Sequence, residues 1–191
     1  MMAKFKTDLH THLPGVLNPD ELVKLGLQHN VAIPITHLQR MGIPVENFST
    51  IEGKEGAAVL LTDIVNSDYI DKYKTNLSMS TEHQNIFPDM DSAYDFRDPF
   101  IKPNYSHHPD KSKEEIHELD DKKMGDVFRA IALKYKEQGI EYVELSTTKF
   151  GPEHIAQFHK YLPEIEKETG VQLDRDRSKY RKYRKKVPKV S

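Results

Sequence analysis

Apolar side chains along this chain follow two different periods, which predict an alternating series of strands and helices. Residues 4–12 predict a short strand, in which successive side chains point to opposite faces. A helix is predicted from Pro19 to about His29, because Asn18 can cap its first turn and proline suits the first helical position. The N-terminal part of the chain therefore predicts a strand, a turn at Pro14-Gly15 and a helix.

A second ordered part begins near residue 111. Ser112 and Glu115 form a capping-box pattern, and apolar residues then recur at helical spacing up to Gly139. The strand Ile140–Ser146 follows. A helix is then predicted from Pro152 to about Thr169, and Pro163 should break or kink it. Residues 170–173 begin a third strand. Helix, glycine and strand in this order are typical of parallel α/β proteins.

Between these parts the periodicity is weak. Residues 31–35 are apolar but contain Pro34, which favours a packed loop over a central strand. Residues 57–65 predict a short helix. A structureless loop of this length is unusual in a compact domain, so we expect residues 45–110 to form a helical or irregular insertion.

The composition excludes several classes of protein. Of the 191 residues, 37% are hydrophobic, the mean hydropathy is −0.70, and no cysteine is present. No apolar run approaches the length of a membrane span and no signal-peptide pattern opens the sequence, so a cytoplasmic protein without a membrane partner is expected. Without thiolates, any metal site must use His, Asp or Glu.

The charge is unevenly distributed along the chain. Residues 174–191 carry nine Lys or Arg and two Asp, a net +7, whereas the rest of the chain carries −9. Tyr180 and Tyr183 lie among these basic residues and could stack on bases, but terminal charge runs are usually solvated and disordered. We therefore expect a disordered basic tail and no nucleic-acid partner. The basic tail would also be explained if out-of-frame or divergent sequence replaced the rest of a longer protein from this point on.

The strongest candidate for chemistry is the pair His10 and His12 within the sequence DLHTHLPG. In a regular strand, residues two apart lie on the same face, so both imidazoles could bind one metal ion. Zinc is the default for nitrogen and oxygen ligands. By itself a His-x-His pair also arises by chance. Glu144, near the end of a predicted strand, is expected to accept a structural hydrogen bond.

The order of these motifs resembles the adenosine deaminase family of the amidohydrolase superfamily. The likeness is carried by the opening run KTDLHTHLPG, by the helix PDELVKLG with QHNVAIP after it, and by QGIEYVEL, which resembles the second barrel strand of the family. It covers about residues 4–34 and 124–173. Residues 1–173 would then form an incomplete barrel domain that holds the insertion at 45–110, with the tail from residue 174.

The resemblance implies a partial (β/α)₈ barrel that contains about the first three strand–helix units. It implies one zinc ion, with His10 and His12 as the first two ligands, and Gly15 in the turn beneath the substrate. The reaction implied is hydrolytic deamination of adenosine or a related purine nucleoside. In it, a zinc-bound water attacks the carbon bearing the amino group and ammonia is released.

The chain departs from the family pattern in ways that bear on activity. Pro14 replaces the small polar residue that contacts the sugar, and Ser146 with the residues after it replaces the usual arginine and Ser-Pro. No stretch like His-Ala-Gly-Glu, which carries the general acid/base glutamate of the family, exists in the sequence. This chain is therefore expected to be inactive alone, and to need a missing C-terminal half or a homo-oligomer.

Two other interpretations stay open. The opening also resembles metal-dependent phosphoesterases of the polymerase-and-histidinol-phosphatase type, although the place of their Thr-Asp-His is taken here by Thr36-His37 without the aspartate. The chain could also be a non-catalytic interaction fragment, because three strands leave sheet edges unpaired.

Overall fold

The fold is described from a computed structural model, which describes residues 7–78, 94–146 and 152–175. The predicted basic tail from residue 176 onward, and residues 79–93 of the predicted insertion, lie outside these described residues. In chain order the elements are β1 (Thr7–His12), α1 (Leu13–Val16), α2 (Pro19–Gln28), β2 (Ala32–Pro34), α3 (Ile35–Arg40), a 3₁₀ turn (Val45–Asn47), β3 (Ile51–Gly53), β4 (Gly56–Leu60), α4 (Leu61–Val65), α5 (Ile70–Leu77), α6 (Asp98–Ile101), α7 (Lys113–Glu137), β5 (Tyr142–Ser146), α8 (Pro152–Thr169) and β6 (Gln172–Arg175).

The chain divides into two compact units. The first unit is formed by Met1–Val16 together with Phe128–Ser191, and the second by Leu17–Val127. Each has its own three-stranded sheet. This division does not test the predicted barrel domain of residues 1–173 or its insertion at 45–110, and both stay predictions.

The first unit contains a parallel sheet in the order β1-β5-β6. Val143 and Leu145 of the central strand are fully buried, as are Phe128 and Ile131 of α7. The prediction of a mixed α/β protein with parallel strands is therefore confirmed. Closure into a barrel stays a prediction, since the described sheet has three strands.

Helix α7 ends as its glycine predicts. Gly139 has a φ of +72°, the left-handed conformation that glycine adopts without steric cost. The N–H of Ile140 donates to the carbonyl of Tyr135 at 3.0 Å, and that of Gly139 to Lys136 at 2.9 Å. These two bonds form a Schellman motif, which ends the helix and directs the chain into β5.

Helix α8 lacks the break predicted at Pro163, while a kink there stays a prediction. Pro163 lies inside the helix, which continues without a break from Pro152 to Thr169. Proline removes one intrahelical hydrogen bond, but Pro163 is exposed, so water can bind the carbonyl left without its usual donor. Strand β6 runs to Arg175, two residues beyond the predicted end of the third strand.

The second unit opens with α2, whose N-terminus was predicted correctly. The Glu21 N–H donates to Asn18 Oδ1 at 2.9 Å, and Glu21 Oε2 accepts from the Asn18 N–H at 2.7 Å. This reciprocal capping box satisfies two backbone donors that the first turn leaves open. The same arrangement joins Ser112 and Glu115 at the start of α7.

Two predictions for the second unit were wrong. Residues 32–34 form the edge strand β2, where the missing N–H of Pro34 disrupts no central ladder. Residues 57–60 belong to strand β4, and only Leu61–Val65 is helical. Ala58 and Val59 are both buried, and a short continuous apolar run does not distinguish a strand from a helix.

Buried cations organise the polar interior of this unit. Arg97, 1% exposed, donates from Nη1 to the Leu17 carbonyl at 2.6 Å and from Nε to that of Leu77 at 2.9 Å. Lys123, equally buried, donates to the Lys102 carbonyl at 2.7 Å and lies 3.7 Å from Asp120 Oδ1. Burial lowers the pKa of Lys123 to about 8. Both side chains thus satisfy backbone carbonyls at the ends of short elements.

We predict that Gly26→Ala destabilises the second unit. A Cβ at this position would lie 2.7 Å from Phe100 Cε1 and would overlap Leu61 Cδ2, both in the core. Overpacking typically costs about 1–3 kcal/mol, which outweighs the better helix propensity of alanine. Urea unfolding should show the loss, whereas Lys24→Ala on the exposed face of α2 should change stability little. Equal stabilities of the two variants would contradict the packing argument.

We also predict that stability falls on mild acidification. Burial lowers the pKa of His29, which lies 2.8 Å from Asp126, and also the pKa of His37. The unfolded chain therefore binds protons more readily, so the free energy of unfolding should fall as the pH drops through about 6.5. His37 Nδ1 has no hydrogen-bond partner within the described residues, so no hydrogen bond would stabilise a proton added there.

The check is urea unfolding between pH 7.5 and pH 5.5. His37→Leu should flatten the dependence of stability on pH, whereas His117→Gln, at an exposed position of α7, should leave it unchanged. A wild-type stability that rises on acidification in this interval would refute the prediction.

Candidate functional site at the carboxyl end of the parallel sheet

Strands β1 and β5 end side by side. His12 is the last residue of β1 and pairs in register with Ser146, the last residue of β5. Because the strands are parallel, their carboxyl ends lie at one edge of the sheet, where α/β proteins collect binding and catalytic groups. The candidate functional site of the first unit is therefore at this edge.

The register between β1 and β5 is irregular at the histidine pair. Leu9 pairs with Glu144 and Thr11 with Leu145, so His10 is an extra residue in β1. Such a bulge interrupts the alternation of faces. The assumption of a regular strand therefore fails at His10. Its side chain lies outside the described part of the structure, so the shared face of the two imidazoles stays a prediction.

Helix α7 contacts one face of the sheet, which is called the helix-covered face below. Thr11 accepts a hydrogen bond from the hydroxyl of Tyr135 at 3.0 Å, and it pairs in register with buried Leu145. His12, the next residue, is exposed and pairs with Ser146. Since successive strand residues point to opposite faces, His12 belongs to the face not covered by α7.

A polar cluster lies on that face of β5 and β6. The hydroxyl of Tyr142 is 3.2 Å from Glu144 Oε1 and 3.3 Å from Asp174 Oδ2, and these two carboxylates are register partners. Burial, followed by the charge of Asp174, raises the pKa of Tyr142 to about 12. The phenol therefore stays neutral, and its O–H group lies between the carboxylates of Glu144 and Asp174 as a donor to both. The hydrogen-bonded role expected for Glu144 agrees with this arrangement.

Sequence reasoning missed two members of the cluster. Asp174 falls in the predicted basic tail, and Tyr142 is one of the residues of the predicted strand 140–146. The usable signal was the alternation Gln172-Leu173-Asp174, which continues the third strand by one more polar position.

The donor chemistry for a metal ion is present only in part. An exposed imidazole at a strand end is an ordinary zinc ligand, so His12 fits one place in such a site. Among residues 7–78, 94–146 and 152–175, no three His, Asp or Glu side chains come together in a way that could hold a metal. A metal site that includes His12 therefore stays a prediction.

Gly15 lies within α1, directly after β1, and is exposed. The turn predicted at Pro14-Gly15 is thus a short helix, and a contact of Gly15 with substrate stays a prediction. His37 lies elsewhere, on α3 in the second unit, where its ring is 6% exposed and packs edge-on against Phe96 at 5.5 Å. This buried position gives no support to the phosphoesterase interpretation.

Comparison with known proteins finds little similarity. No protein-family model matches the chain, and no curated protein matches it. Among solved structures, an adenine deaminase from Arthrobacter aurescens aligns over 91% of this chain with 14% identity and a TM-score of 0.43. The chain spans 39% of the length of that protein. A likeness of this extent assigns neither a family nor an activity to the chain.

No helix in the described ranges is long and apolar enough to cross a membrane.

We predict that Tyr142→Phe lowers stability in a pH-dependent way. Without the hydroxyl, Glu144 and Asp174 face each other as unshielded like charges, which is unfavourable across neighbouring strands. At pH 7 the loss should be about 0.5–1.5 kcal/mol, the usual net value of one hydrogen bond. Above about pH 10 the difference from wild type should shrink, because the pKa of Tyr142 is raised to about 12 in the folded chain and the unfolded chain therefore loses the phenolic proton first. The matched control is Tyr69→Phe, which also removes one phenolic hydrogen bond, the 3.1 Å bond that Asn47 donates in the second unit.

Proposed function

We propose that this chain forms the first part of a metal-dependent hydrolytic deaminase that resembles the adenosine deaminase family. The observation that carries the proposal is the position of DLHTH, which ends at the carboxyl edge of a parallel sheet beside the end of β5. A metal-binding motif needs this position to meet ligands from other strands. The resemblance in sequence supplies the chemistry, and the sheet supports its placement.

In this proposal His10 and His12 bind one zinc ion through ring nitrogens. A zinc ion held there would act as a Lewis acid and so supply the means to activate water as a nucleophile at neutral pH. Gly15 lies beneath the substrate, an amino-purine such as adenosine. Pro14 offers neither an N–H nor a polar side chain, so it cannot donate a hydrogen bond to a ribose.

The chain by itself is proposed to bind metal weakly and to lack turnover. Structural zinc sites usually have four protein ligands and catalytic sites three, whereas the motif supplies two. No glutamate of a His-Ala-Gly-Glu type is present to move a proton during the reaction. Pairing with a further segment, or with a second copy of the chain, would be needed to complete the site.

The first test is zinc binding by equilibrium dialysis. Wild type should bind one zinc ion per chain, and His10→Ala or His12→Ala should weaken binding by at least about tenfold, as loss of even an indirect ligand partner does. The matched control is His117→Ala, which removes an exposed histidine from α7 in the second unit. Zinc binding that is insensitive to both variants of the motif would overturn the assignment.

The second test is release of ammonia from adenosine and from adenine with zinc present. We expect none above background from wild type alone. Turnover that His12→Ala abolishes would refute the proposed incompleteness and confirm the deaminase assignment. Hydrolysis of a phosphate ester with manganese, without any deamination, would favour the phosphoesterase interpretation instead.

A further inference from the structure

Tyr135 joins three elements of the first unit. Its hydroxyl donates to Thr11 Oγ1 in β1 at 3.0 Å. Its carbonyl accepts from the N–H of Ile140 at 3.0 Å, within the Schellman motif that leads into β5. Its side chain is 6% exposed and lies on the same helix as the buried Ile131. The end of α7, the entry to β5 and the end of β1 therefore meet at one residue.

The bond to Thr11 acts at the one point where β1 departs from a regular register. His10 is the extra residue between the pairs Leu9–Glu144 and Thr11–Leu145. In a strand with period two, a shift of the register by one residue exchanges the faces of every side chain that follows. The face that His12 presents thus depends on where the bulge lies.

The hydroxyl of Tyr135 holds Thr11 on the face covered by α7. With Thr11 held there, the alternation along the strand assigns His12 to the opposite face, beside Ser146. If the bulge moved to the other side of Thr11, Thr11 would leave the helix-covered face and lose this bond. Thr11 is thus the residue through which a helix side chain determines the orientation of the metal-binding motif.

We propose that Tyr135 is a positioning residue for His12 and acts through Thr11. The inference rests on the proposed function, because it assumes that His12 is a metal ligand. What Tyr135 adds is its hydroxyl group, which determines the face of His12 beyond the packing of the buried ring.

The experiment compares zinc affinity in Tyr135→Phe, Thr11→Val and the double variant. Each single variant removes the hydrogen bond with little change of shape, and each should weaken zinc binding by about 10–100-fold, the usual effect of removing a group that orients a ligand. The double variant should bind zinc with the same affinity as either single variant, since each single substitution already removes the same hydrogen bond. Thr11→Ser keeps the hydroxyl and should bind zinc as wild type does.

Ile131→Val is the control for a merely structural effect. It reduces packing in the same helix and core without touching the hydrogen bond. It should leave zinc affinity unchanged. If Ile131→Val weakens zinc binding as much as Tyr135→Phe, or if Thr11→Ser fails to preserve binding, the positioning role is refuted.

Amide hydrogen exchange provides a readout that needs no metal. Tyr135→Phe should increase exchange at Thr11 and His12 by at least about tenfold relative to Leu173 in β6, because local opening of β1 becomes easier. Wild type that binds zinc through His12, together with unchanged affinity and exchange in Tyr135→Phe, overturns the inference and leaves the proposed function intact. Wild type that binds no zinc overturns the proposed function, and the exchange result then decides the inference alone.

Discussion

The parallel pairing of β1 with β5 is the constraint on which the candidate site depends. Thr7 pairs with Tyr142, so the two strands come from distant parts of the chain, and the whole of Leu17–Val127 lies between them in sequence. Parallel strands cannot be joined by a tight turn, and closing a long connection costs chain entropy that grows only slowly with its length. Burial of Val143, Leu145 and the apolar face of α7 offsets that cost.

The second unit consists of short helices and strands, which polar side chains help to hold together. Its strands have three to five residues, and its cationic side chains Arg97 and Lys123 bind the carbonyls that short helices and turns leave open. Burying a cation is costly unless its donors are satisfied. These carbonyl bonds give the two residues a structural role within this unit.

The candidate site was predictable in part. His10 and His12 stand out because two histidines in one short strand, followed by a turn and a capped helix, form a recognisable local pattern. The bulge at His10 was not predictable, since it is a property of the pairing with β5. The same holds for Tyr142 and Asp174, which lie 32 residues apart and meet only because β5 and β6 are neighbours. Whether the two imidazoles share one metal stays a prediction.

The sequence by itself determined the features whose hydrogen bonds close within a few residues. Asn18 with Glu21, Ser112 with Glu115 and the glycine at position 139 mark helix ends through contacts three to five residues long. Only the tertiary structure decided that residues 57–60 form a strand and which face His12 presents. A strand makes its hydrogen bonds with distant segments, so its register and its bulges depend on partners that no local pattern specifies.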